Sequence, residues 1–173
     1  MKIGIIIQAR TGSTRLPNKV ILPFYKEQCI LDIILQKLKT LNYPLVVATS
    51  NHSNDNEIVK VASRNNIQAF KGSEKNVLER FIDCAKHNDF SSIIRVCADN
   101  PFIDTSIIEE LVDESADYSA HFFQGKPSIQ THWGAFTEFV SLASLEKIQS
   151  LTKEKKYLEH VTNYIYQNPE LFT

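Results

Sequence analysis

Glycine and proline are scarce in this chain, five and six of 173 residues, about half the usual share. That excludes a collagen-like or low-complexity chain and makes each glycine a position worth locating. Cysteine is also rare and odd in number: Cys29, Cys84 and Cys97 form no CxxC pair. A disulfide framework is therefore excluded, and the thiols read as reduced and buried. No run approaches the ~18 apolar residues of a membrane span. The apolar start Ile3–Ile7 is strand-length and lacks a small-residue cleavage site, so no signal peptide and a cytoplasmic location are expected. Neither sign of charge dominates, with 19 Lys and Arg against 20 Asp and Glu. A polymeric nucleic acid or an anionic membrane is accordingly not an expected partner. What is present, 43% hydrophobic and 23% charged residues, is the composition of a globular chain long enough to bury a core.

The apolar pattern alternates between short runs and helical seams. Ile3–Ile7 reads as a strand covered on both faces, Leu45–Ala48 as a second buried strand, Ile67–Phe70 as a short strand and Ile93–Cys97 as another strand. Leu31, Ile34, Leu35, Leu38 and Leu41 mark a helix that ends before Pro44. Further helical seams follow at Ile58–Ala62, at Asn76–Lys86 and at Ile107–Val112. This order predicts a three-layer α/β domain with a mainly parallel sheet. After Asp117 we expect a strand near Phe136–Val140 and two helices, the last with Tyr157, Leu158, Val161, Tyr164 and Ile165 as its seam.

Ligands of open α/β sheets bind beyond the carboxyl ends of the strands. Local charge is concentrated at one such end. Lys2, Arg10, Arg15, Lys19 and Lys26 all precede the first acid, Glu27. The segment from Gln8 to Lys19 holds three of these cations, one glycine and several hydroxyls. Gly12 offers close approach or positive φ, amides there suit a phosphate, and Arg10, Arg15 and Lys19 could neutralise a triphosphate. A polar surface loop is the competing reading. Neither GxxxxGK[ST] nor GxGxxG is present. A second segment runs from Ala98 to Asp104, where Asp99 follows a buried strand and could hold Mg²⁺ against substrate phosphates. Asp104 reads as a helix N-cap, and Glu109, Glu110, Asp113 and Glu114 as a solvated helix face. The five histidines (His52, His87, His121, His132 and His160) lack metal-ligand spacing, and no GxSxG elbow exists. Together the loop and the carboxylate suggest metal-assisted phosphoryl or nucleotidyl transfer.

Residues Ile6 to Lys19 resemble the ARxxSxRLPxK signature of the CMP-sugar synthetases, which include the Kdo and acylneuraminate cytidylyltransferases. The branch most resembled is the spore-coat-polysaccharide type. Val47-Ala48-Thr49-Ser50, Phe70-Lys71-Gly72-Ser73-Glu74 and Asn76-Val77-Leu78-Glu79-Arg80-Phe81 follow in the family's order. Arg95 to Asp104 resembles RxTxDxPxID, and Glu159-His160-Val161-Thr162 resembles EHVT. The resemblance implies a nucleotide-diphospho-sugar transferase fold, CTP as donor, Mg²⁺ as cofactor, a sugar acceptor and a homodimer. It implies that Ala9, Arg10, Gly12, Ser13, Arg15 and Lys19 cradle the triphosphate, with Arg10, Lys19 and Asp99 catalytic and Asp99 on the metal. Thr49, Ser50, Gly72 and Ser73 are then expected towards the nucleoside, and Asn100, Glu138 and His160 towards the sugar.

The chain departs from the pattern in four places. Asn18 stands where many members have glycine, Lys75-Asn76 replaces an acidic pair, and Phe136 takes a frequent aspartate position. A late VDTPxD-like segment, whose aspartate supplies a second metal ligand in the family, does not occur before Thr173. Residues 1–173 are therefore expected to be one nucleotidyltransferase domain that stops short of that segment. The expected activity is transfer of CMP from CTP to a sugar, a sugar acid first, for surface polysaccharide. The alternatives are another nucleotide or a phosphosugar acceptor, or an inactive nucleotide-binding or scaffold domain.

Overall fold

The apolar run at the start of the chain becomes the strand around which the sheet is built. The computed structural model describes residues 2–13, 15–113, 115–120, 122–123, 126–127 and 137–173. Strand β1 (Ile3–Gln8) is followed by a small hairpin, β2 (Pro23–Tyr25) and β3 (Gln28–Cys29), and by helix α1 (Ile30–Leu38). Then come β4 (Leu45–Ser50), a 3₁₀ turn at Ser53–Asp55, α2 (Asn56–Arg64), β5 (Gln68–Gly72), α3 (Val77–His87), β6 (Ser92–Cys97) and α4 (Thr105–Glu110). The remainder contributes β7 (Tyr118–Ala120), the short pair β8 (Phe122–Phe123) and β9 (Lys126–Pro127), β10 (Thr137–Ser141), and helices α5 (Leu142–Leu151), α6 (Lys155–Glu159) and α7 (Asn163–Gln167).

Six strands form one sheet in the order β5-β4-β1-β6-β10-β7. Strands β5, β4, β1 and β6 are parallel, and β10 runs antiparallel to both of its neighbours. Alternation along the buried strands feeds two cores. Ile5, Ile7, Val47 and Ile94 pack with Leu31, Ile34, Ile58 and Ile108 on one face. Ile6, Val46, Ala48 and Ile93 pack with Leu78, Phe81, Leu145 and Val161 on the other. The mainly parallel, three-layer α/β expectation is met. Gly4 explains itself here, since a Cβ would lie 2.2 Å from the Phe90 ring.

Local signals account for several boundaries. Asn76 caps α3 by accepting from the Glu79 N–H, and Asp104, the expected N-cap, caps α4 by accepting from the Ser106 N–H. Several features differ from expectation, among them β7, β8 and β9, which join the single strand expected after Asp117. The hairpin β2–β3 was not foreseen, because two very short strands leave no periodic pattern. The expected last helix is broken into α6 and α7 at His160–Thr162, although its apolar seam continues across the break. Val161 is drawn into the core and Thr162 onto a buried carboxylate, which turns the backbone out of helical geometry. Phe136 lies outside the described residues.

Candidate active site

The carboxyl ends of β1, β4, β5 and β6 open on one side of the sheet, and the cationic loop leaves β1 there. Ladder-like bonds continue past the strand: the Ala9 N–H donates to Ala48 O at 3.2 Å, and the Ala98 N–H to Gln8 O at 3.0 Å. Beyond them the loop is pinned by Thr11, whose carbonyl accepts from the N–H groups of Ser13 and Asn18, both at 2.9 Å. Asn18 has φ 62°, a left-handed conformation that asparagine tolerates. The expected positive φ therefore falls on Asn18 and not on Gly12, where a Cβ would meet nothing within 4 Å. Asparagine at position 18 keeps this loop geometry available.

One buried carboxylate fixes this loop to its neighbour. Asp55 accepts from the Thr11 N–H at 2.8 Å, the Thr11 hydroxyl at 2.6 Å, the Ser50 N–H at 3.2 Å and the Ser50 hydroxyl. Burial pushes the Asp55 carboxyl upward, but these hydrogen bonds outweigh it and hold the group below the usual range. Asp55 had been missed. Its place at the start of α2 suggests a helix cap, yet its side chain makes no capping bond and turns towards the loop.

The loop forms one wall of a cavity of about 330 Å³, with the end of β6 opposite. Ala9, Arg10, Ser13, Arg15 and Lys19 line it from the loop, and Asp99 and His160 from across, with Gln8 and Cys97 among the other lining residues. Lys19 Nζ lies 2.6 Å from Asp99 Oδ2, and Arg10 Nη2 lies 3.6 Å from Glu159 Oε1 on α6. Each of these two cations is thus matched by a carboxylate, Asp99 on the facing wall and Glu159 on α6. A second cavity, about 350 Å³, shares Arg10 and Ser13 and adds Gly12, Ser50, Asp55 and Glu74. Two cavities meeting at a cationic loop suit a ligand with one anionic centre and two arms.

A family model described as cytidylyltransferase matches residues 4–173. The chain belongs to the cytidylyltransferase family. It is 35% identical over 182 residues to the spore coat polysaccharide biosynthesis protein SpsF of Bacillus subtilis, covering 98% of this chain and 72% of SpsF. A solved cytidylyltransferase from Leptospira borgpetersenii matches with TM-score 0.89 and 32% identity, over 99% of this chain and 74% of its own. A CMP:2-keto-3-deoxy-manno-octonic acid synthetase complexed with CTP shares the fold, with TM-score 0.72 at 14% identity over 99% of this chain and 88% of that one.

In this cytidylyltransferase-family chain the residues expected at the site divide into those that reach the cavities and those that do not. Ala9, Arg10, Gly12, Ser13, Arg15, Lys19, Ser50, Asp99 and His160 are brought to the cavity walls. Thr49 is fully buried, and its hydroxyl has no partner among the described residues. Gly72 and Ser73 line neither of the two cavities, and Gly72 makes room for Arg80: a Cβ there would be 2.8 Å from Arg80 Cγ. Arg80 is fully buried and donates to Ser73 O at 2.7 Å. Burial and the charge of Arg10 pull its guanidinium down to about 10. In the sequence Arg80 lies within the Asn76–Phe81 segment that follows the family's order, with no sign there of its burial. Asn100 accepts from the Phe102 N–H at 3.2 Å and lines neither cavity.

Glu138 requires a correction. It was expected at the sugar side, but it is fully buried and ion-paired with Arg95 directly across the strand pair β10–β6. Its carboxylate also accepts from the hydroxyls of Tyr118 (2.8 Å), Thr162 (2.7 Å) and Tyr166. A ligand could reach it only by dismantling that set.

The chemistry of the cavity fits a divalent cation of the Mg²⁺ type. Asp99 Oδ2 already holds a cation, the Lys19 ammonium, and its side chain is 46% exposed towards the cavity. Mg²⁺ commonly takes one or two carboxylates and completes its shell with water and phosphate oxygens. Among the described residues no cluster of three or more His, Cys, Asp or Glu could hold a metal by itself. No described helix is long and apolar enough to cross a membrane.

Proposed function

We propose that the chain transfers CMP from CTP to a hydroxyl of a sugar acid, releasing pyrophosphate, in the making of a surface polysaccharide. The observation that carries this reading is the 2.6 Å approach of Lys19 to Asp99 across the first cavity. A loop cation and a strand-end carboxylate meet where a triphosphate and its metal would both need partners. Membership of the cytidylyltransferase family supports CTP as donor, and the name of SpsF supports the polysaccharide role. The synthetase solved with CTP makes a keto-deoxy sugar acid the first acceptor to try.

The triphosphate lies against the loop, where Arg10, Arg15 and Lys19 offset its charge. Lys19 exchanges Asp99 for phosphate, and Arg10 exchanges Glu159, which is two-fifths exposed and passes to solvent. Asp99, once released, is the residue that would hold Mg²⁺, which supplies further charge neutralisation on the phosphates. Asp55 keeps the loop in place through Thr11 while these partners change. The acceptor oxygen bonds to the α-phosphorus, the bond to the β-phosphate oxygen breaks, and the hydroxyl proton leaves to water. Positioning and electrostatics carry the catalysis, with no covalent enzyme intermediate.

The reaction is tested by pyrophosphate release from each of the four NTPs, with Mg²⁺ and a panel of sugar acids and phosphosugars. Release with CTP and a sugar acid is expected. Release confined to another NTP or to a phosphosugar overturns the substrate choice, and nucleotide binding without release under every condition overturns the reaction.

A further inference from the structure

Among the described residues an elaborate polar cluster lies next to the first cavity and outside the proposed chemistry. Glu138 on β10 receives an arginine and three hydroxyls, from Arg95 on β6, Tyr118 on β7, Thr162 between α6 and α7, and Tyr166 on α7. Desolvating such a pair is costly, and an apolar pair of similar volume often does as well for stability. The cluster has two outlets, and both lead to the cavity wall. Arg95 Nη2 reaches Gln8 Oε1 at 3.5 Å and Cys97 Sγ at 3.6 Å, and both residues line the cavity. The other outlet is Thr162, two residues after His160, which lines the same cavity from the helix break.

We infer that Glu138 and Thr162 are positioning residues for the acceptor side of the site: the buried carboxylate holds the Thr162 hydroxyl and thereby the turn that presents His160, while Arg95 orients Gln8 on the floor. This rests on reading the first cavity as the place where the acceptor meets the nucleotide. The Thr162 hydroxyl lies 2.7 Å from Glu138 Oε1, and the residue is 3% exposed. Val161 beside it is sunk in the core. These two anchors leave the backbone at His160 (φ −107°, ψ 82°) no helical continuation. With Gln8 Oε1 turned to Arg95, the amide nitrogen of Gln8 is left to donate to an acceptor group in the cavity. A carboxylate on the acceptor sugar has the matching chemistry.

The test uses two substitutions that each remove one hydroxyl from the same carboxylate oxygen. Thr162→Val cuts the link to the His160 turn, whereas Tyr118→Phe removes a donor on β7, away from the cavity. In proton–nitrogen NMR spectra of the full chain, Thr162→Val is expected to move the ring signals of His160, Tyr118→Phe to leave them in place, and Thr162→Ser to restore them. In steady-state kinetics Thr162→Val is expected to raise the KM for the sugar acid several-fold while the KM for CTP stays unchanged. Equal movement of His160 in both variants, or movement in neither, overturns the inference, as does an equal rise in both KM values. Absence of pyrophosphate release from the wild-type chain would overturn the reaction, and the NMR comparison would still decide this inference.

Discussion

Two aspartates flank the same loop and do opposite work. Asp55 is 2% exposed and receives four hydrogen bonds from Thr11 and Ser50. Asp99 stands 46% exposed on the far wall, with the Lys19 ammonium 2.6 Å away. A buried acceptor surrounded by short, fixed donors cannot trade partners without leaving several of them unsatisfied. A half-exposed carboxylate paired with one flexible cation loses little when that cation leaves, because such pairs contribute only ~0–1 kcal/mol. The first geometry suits an anchor and the second suits a group that exchanges partners when ligand arrives. The difference lies in burial and donor count, since the residue type is the same.

The comparison breaks most readily at the mobile pair. Lys19→Ala is expected to lower pyrophosphate release about 100-fold or more, with the unfolding midpoint in urea shifted only slightly. A large loss of stability would place Lys19 among the anchors instead. Asp55→Ala is expected to cost about 3 kcal/mol in chemical denaturation, because the Thr11 and Ser50 donors are left buried without an acceptor. A loss below ~1 kcal/mol would show that the loop holds itself.

Acid separates the two aspartates next. The folded-state pKa of Asp55 is held down by its donors despite burial, and Asp32 is lowered as well: burial works against it, but Arg64 and other donors outweigh that. Both therefore contribute stability that is complete above the ordinary aspartate value of ~3.9 and is lost as pH falls below it. Thermal scans should show a midpoint falling below about pH 4, and Asp55→Ala should flatten that dependence. The smallest effect is expected at Glu159→Gln. The Arg10–Glu159 pair is about two-fifths exposed on both sides, so stability should change by no more than ~1 kcal/mol. Calorimetric titration of CTP should show equal or slightly tighter binding, and clearly weaker binding would mean that Glu159 holds Arg10 in its working position.

Much of this fold is written in local pattern. Ile3–Ile7 and Leu45–Ala48 are apolar runs of strand length, and Ile93–Cys97 is one broken only by Arg95, the pattern of strands buried on both faces. The cationic loop and Asp99 were legible because both directly follow such runs. What was not legible is pairing at long range. Thr11 and Asp55 are 44 positions apart, Lys19 and Asp99 80, and Arg95 and Glu138 43. The burial of Glu138 was not legible because nothing near it in the chain announces Arg95, its partner in the antiparallel register. The helix break at His160 was hidden for the same reason: its cause, the bond from Thr162 to Glu138, crosses from the end of the chain to a central strand.

Asp99→Asn, measured for CTP-dependent pyrophosphate release and for thermal unfolding in the same preparation, bears most directly on the central claim that this carboxylate works rather than anchors. The expected result is release lowered about 100-fold or more, with a melting temperature within a few degrees of wild type and far above that of Asp55→Ala. Undiminished release, or a melting temperature as low as that of Asp55→Ala, would contradict it.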